Sequence, residues 1–158
     1  MTRRKKIPSM LNTLTILTFI GSGFSLLGSI ISLVSLPQMR EKVKEGMKNA
    51  KMSGEQPADE ADMLEVITEG VNIMLDNGEA LYTVAITTAI LCIFGAILMR
   101  KLKKSGFFIY TSACILNVVF PLTLVGFGLF GLGILIGGLV SILFIILYSV
   151  NLKEMTKT

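Results

Sequence analysis

The stretch MLNTLTILTFIGSGFSLLGSIISLVSL, Met10 to Leu36, decides the fold. Its 27 residues carry no charge, more than the ~20 an α-helix needs to cross the hydrocarbon core. A tilted transmembrane helix is expected, with Pro37 marking its end. Arg3, Arg4, Lys5 and Lys6 stand just before it. A cleaved signal peptide would have an apolar region of only ~7 to 15 residues, so the segment reads as an uncleaved signal-anchor.

Three further spans follow on the same grounds. Residues 80–99 supply one span's length and end in Arg100, Lys101, Lys103 and Lys104. From Gly106 to Val150 there are 45 residues without a charge, enough for spans at about 106–124 and 130–150 if a tight hairpin joins them. Gly126, Gly128, Gly131 and Gly133 are the expected place for that hairpin. A re-entrant segment is the weaker option, because irregular backbone exposed to lipid has no hydrogen-bond partners. The expected fold class is all-α, a single four-helix transmembrane bundle over residues 1–158. Its 52% hydrophobic content, 16% charge and mean hydropathy of +0.70 fit no ordinary soluble domain.

Residues 38–79 form the one sizeable soluble part, expected as two short helices around a polar break at Ser53 to Pro57. The first is basic, with Met39, Val43 and Met47 as its apolar stripe between Arg40, Lys42, Lys44 and Lys48. The second is acidic, with Met63, Ile67, Val71 and Met74, and stops at Asp76, Asn77 and Gly78. Charge then sets the orientation. The N-terminal tail, the turn after the second span and the C-terminal tail together carry +9, the 38–79 segment −5. Cytoplasmic segments hold the Lys and Arg excess, so both termini are expected inside and residues 38–79 outside, in a bacterial cytoplasmic (inner) membrane. The clusters Arg3 to Lys6 and Arg100 to Lys104 would also meet lipid headgroups.

The sharpest pattern is Thr15, Thr18, Ser22, Ser25, Ser29 and Ser32, whose spacing of 3 and 4 lines every hydroxyl on one helix face. Such a face could line a solute path. It could equally be a packing seam, since small residues let helices approach and hydroxyls can bond their own backbone. The seam is favoured, because Ala85, Thr88, Cys92 and Gly95 repeat the spacing in the second span and suggest a mating face. Gly133, Gly137 and Ser141 form a further small-residue ladder whose partner is either internal or another subunit. Asn117 and Pro121 in the third span read as an interhelical hydrogen bond beside a tolerated kink.

Chemistry is sparse. There is no histidine, so no imidazole for general-base catalysis or metal ligation. Cys92 and Cys114 lie in apolar stretches as packing residues, and the central parts of the spans contain no ionisable side chain except these thiols and tyrosine, which argues against ion coupling. No cofactor, metal or nucleic acid is expected. Glu79, the one acid at the mouth of a span, is too little for a lipid-processing enzyme.

The basic turn running through Lys103, Lys104 and Ser105 into Gly106, Phe107 and Tyr110 resembles the start of a span in small uncharacterised four-span bacterial membrane proteins. That likeness covers about ten residues, places lysines at headgroups and aromatic rings at the interface, and implies no activity. A large first outer loop also looks like claudins, from which this chain departs in having no cysteine or tryptophan there. The function expected is that of a non-enzymatic membrane subunit, an accessory or assembly component bound to the bilayer and to another membrane protein or to itself. The alternative is a passive channel or transporter for a small solute, formed by oligomerisation around the Thr15 to Ser32 face.

Overall fold

The computed structural model describes residues 9–52 and 58–152, with side chains at all of these except 47, 50–52, 58–65 and 129. It is all-helical over these residues: α1 (Ser9–Met52), α2 (Ala58–Asp76), α3 (Gly78–Arg100), α4 (Ser105–Val125) and α5 (Leu129–Asn151). Four of them are long and apolar enough to cross a bilayer: α1, α3, α4 and α5. The chain is therefore an integral membrane protein built as a four-helix bundle. The Arg3 to Lys6 cluster, the polar break at 53–57 and the C-terminal lysines 153 and 157 lie outside the described residues.

Pro37 does not end the first helix. It sits inside α1, which continues to Met52, so the expected first outer helix is an extension of the first span. Proline removes one backbone donor and leaves the Leu33 carbonyl free. At this height that is cheap: Leu36 packs on Gly78, the first residue of α3, so Pro37 stands at the margin of the bundle, where water can satisfy the carbonyl. Leu36 is where α1 meets the start of α3, and the helix runs on past it.

The second outer helix forms as α2. Its C-terminal carbonyls are met by Arg40, whose Nε and Nη2 donate to the Leu75 carbonyl at 3.1 and 2.7 Å. Cations are favourable at a helix C-terminus, where unpaired carbonyls concentrate negative charge. α2 rests on the ends of α3, α4 and α5, with the Phe130 ring on the space a Cβ at Gly70 would take. Asn77 alone separates α2 from α3, its Nδ2 donating to the Ile73 carbonyl at 2.9 Å.

At the opposite, basic end, α3 turns into α4 through Leu102 in the left-handed region (φ 56°). The Lys103 N–H donates to the Leu98 carbonyl at 3.1 Å, the closing bond of a helix C-terminal motif that usually employs glycine. Leucine is held there because its side chain packs on the core of Leu11, Leu14, Met99, Tyr110, Cys114 and Tyr148. The α4–α5 hairpin turns at Gly126 (φ 77°) to Gly128. Gly131 and Gly133 lie within α5 instead, Gly131 because the Gly126 carbonyl oxygen occupies its Cβ position.

Around the bundle α1 packs on α3, α3 on α4 and α4 on α5, whereas α1 and α5 meet only sparingly. The apolar window of α3 is 22% buried and that of α5 only 11%. α3 is thus the central helix and α5 the peripheral one, and the ring of four is left open between α1 and α5.

Candidate functional site: a polar cleft between α1 and α5

The hydroxyl face of α1 divides along its length. Thr15 and Thr18 are buried, Ser22, Ser29 and Ser32 are half-buried, and Ser25 is exposed. Thr15 donates to the Asn12 carbonyl of its own helix at 2.9 Å. Thr18 instead shares a 2.7 Å hydrogen bond with the hydroxyl of Tyr148 on α5, the contact that pins α5 to α1. The Tyr148 ring meets Tyr110 of α4 edge-on, centroids 5.1 Å apart and planes at 65°. Tyr148 and Tyr110 carry this closure and were not legible as site residues. The one available signal was a phenol, Tyr148, in a helix whose other polar side chains are Ser141, Ser149 and Asn151.

The second-span face does not mate with the hydroxyl face of α1. Its Thr88, Cys92 and Gly95 meet α4. A Cβ at Gly95 would stand 2.9 Å from the Gly106 carbonyl oxygen, and one at Gly106 2.6 Å from that of Gly95. The two backbones touch directly, which is what small residues permit. Cys92 shares the cavity lining with Cys114 of α4, and Thr88 Oγ1 lies 3.1 Å from Asn117 Oδ1. Ala85 accepts from Thr88 at 3.1 Å.

Nor does the Gly133, Gly137, Ser141 ladder pack within the chain. No described atom comes within 4 Å of a Cβ placed at Gly133 or Gly137. Beyond the hairpin, where Gly131 meets Gly126 and Leu122, the α5 glycine that packs on α4 is Gly138, against Val118 at 3.2 Å. On α1, Gly21 and Gly28 are open in the same way. The reason is geometric: α5 leans on α4 through Gly138, which leaves Gly133 and Gly137 without a neighbour while α1 packs on α3.

What lies between is a cavity of about 200 Å³. Its walls include Thr18, Ser22 and Ser25 of α1, Thr88 and Cys92 of α3, Asn117 of α4 and Ser141 of α5. At ~1.5 Å rise per residue these stand about 12 to 24 Å from the basic end, across the middle of the bilayer. Towards the basic end the cavity is shut by the Thr18–Tyr148 bond and the core cluster beneath it. Laterally it opens past Leu17 and Val140, half-exposed on the two helices. Four exposed hydroxyls elsewhere turn back on their own helices, those of Thr83, Thr87, Thr123 and Ser149. Ser22, Ser25 and Ser141 make no hydrogen bond among the described residues.

Among the described residues no group of three or more cysteine or acidic side chains is placed to hold a metal ion. Arg100, Lys101, Lys103 and Lys104 stand exposed around the α3–α4 turn, where headgroups would lie. No family model, no curated protein and no solved structure matches the chain.

Proposed function

We propose that this protein is a non-enzymatic membrane subunit, an accessory or assembly component that receives a transmembrane helix of another membrane protein in the open groove between α1 and α5. One observation supports this reading above others. Gly28 on one wall and Gly133 and Gly137 on the other have nothing within 4 Å of an added Cβ, although glycine in a transmembrane helix otherwise serves close backbone approach. Lipid tails need no such clearance; a helix does. The basic clusters set both termini on the cytoplasmic side of a bacterial inner membrane.

A photo-crosslinking residue at Val140, on the groove face, is expected to yield a polypeptide adduct in native membranes. The same residue at Ile142, on the opposite face of α5, is expected to yield only lipid. Gly137→Leu should abolish the Val140 adduct while the chain remains folded. Adducts with lipid alone at both positions would end the reading; an adduct of two identical chains would replace the foreign partner with a second copy.

A channel through a single chain is not supported, since the Thr18–Tyr148 bond and the Leu11, Leu14 and Met99 cluster block the cavity at the basic end.

A further inference from the structure

The cavity lies deeper in the bundle than Gly133 and Gly137, and it asks for something that a docked helix backbone does not supply. Its polar groups are unevenly satisfied. Thr88 has one hydroxyl hydrogen, yet two acceptors lie at 3.1 Å, the Ala85 carbonyl and Asn117 Oδ1. Both contacts are satisfied together when the Asn117 amide is turned so that its Nδ2 donates to Thr88 Oγ1, an orientation that heavy-atom positions do not distinguish. The side-chain carbonyl of Asn117, an exposed residue that lines the cavity, is then left as an acceptor.

The same residue holds a second acceptor. Pro121 lies inside α4, and a proline lacks the N–H that would bond the carbonyl four residues earlier. That carbonyl belongs to Asn117. Ser22, Ser25 and Ser141 add three hydroxyls without hydrogen bonds in the same walls. Ser29, Ser32 and Ser112 are also unbonded, so a free serine by itself marks nothing. What distinguishes this set is convergence on one cavity that holds an asparagine with spare capacity, at a depth where no bulk water can satisfy it.

The lining carries no ionised group. A charged guest would lose its hydration and find no counter-charge. The volume of about 200 Å³ exceeds the roughly 150 Å³ that holds a benzene-sized group in an apolar protein cavity. With the basic end closed, the cavity is approached from the side, past Leu17 and Val140.

We propose that this cavity binds the uncharged, hydroxyl-bearing head of a lipid-soluble molecule. The hydroxyl donates to Asn117 and accepts from the serines, and the alkyl tail leaves between α1 and α5. This goes beyond the docking of a partner helix and is tested on the isolated chain, in which no second helix covers the mouth.

The test uses the purified full chain in detergent and three probes of equal chain length, 1-dodecanol, dodecane and dodecanoate, read by thermal unfolding. Dodecanol is expected to raise the Tm in a saturable way, with dodecane and dodecanoate giving at most a tenth of its shift at the same concentration. Asn117→Leu and Ser141→Leu should each raise the half-saturating dodecanol concentration at least tenfold, whereas Ser112→Leu, on α4 outside the cavity, should leave it unchanged. If Asn117→Leu does not fold, Ser141→Leu decides. An equal shift from dodecane would show that the head plays no part. Either that result, the absence of a dodecanol shift, or full retention of it in the variants would overturn the proposal.

Discussion

The two seams of this bundle use the same small residues for opposite ends. On the α3–α4 seam Gly95 and Gly106 bring two backbones into contact, with a Cβ at either meeting the other's carbonyl oxygen at 2.9 or 2.6 Å. On the α1–α5 seam Gly28, Gly133 and Gly137 meet nothing. A small-residue stripe thus states that something could approach, not that anything in the same chain does. The difference arises from where α5 finds its partner: it packs by Gly138 on Val118 and by Tyr148 on Thr18, which leaves Gly133 and Gly137 without a neighbour.

The largest effect expected from breaking this comparison is at the closed seam. Gly95→Leu forces a side chain against the Gly106 carbonyl and the Tyr110 Cβ, neither of which can yield, and should cost about 3 kcal/mol, the upper part of the range for overpacking. Loss of the monodisperse species on size-exclusion chromatography in mild detergent checks it. Tyr148→Phe keeps the ring packing and removes the bond to Thr18. Interhelical hydrogen bonds in membranes contribute ~0.6 kcal/mol on average and up to ~1.7, and this one should stand near 1 kcal/mol because it alone ties α5 to α1 by side-chain hydrogen bonding among the described residues. Steric-trap or denaturant unfolding of Tyr148→Phe, Thr18→Val and the pair would show it as a coupling energy.

A smaller effect is expected outside the bilayer. Arg40→Gln removes the cationic cap of α2, with about 0.5 kcal/mol lost, and should appear as faster amide exchange confined to residues 70–77. Smallest of all is Gly137→Leu, which has open space around it and is expected to stay within ~0.5 kcal/mol of the parent in the isolated protein. A Gly137→Leu variant as unstable as Gly95→Leu would show that the α1–α5 groove closes within the chain.

Much of the fold was legible because it rests on one-dimensional quantities. The uncharged run Met10 to Leu36 is long enough for a span, the 45-residue run from Gly106 needs a hairpin, and Gly126 provides one with a positive φ. Pro37 misled because the usual cost of a proline within a helix is an unmet carbonyl, and at the margin of a bilayer water meets it. The site was half legible. Thr88, Cys92, Asn117 and the serine face were singled out by spacing, but periodicity gives the face of a helix and not the neighbour it meets. Hence the second-span face was matched with α1, whereas it packs on α4. Tyr148 carried no pattern at all.

The sequence by itself determined the number of spans, a separate helix at α2, and the charge difference between the two ends. These follow from hydrocarbon thickness, helix rise and the cost of burying charge, which act on each segment independently of the others. Only the tertiary structure decided which small-residue face is filled and which is open, that Tyr148 closes the basic end, and that Asn117, Ser22, Ser25 and Ser141 share one cavity. Within a bilayer lipid is as apolar as a neighbouring helix, so helix pairing depends on shape and a few hydrogen bonds summed over whole surfaces, and no single stretch of sequence contains that sum.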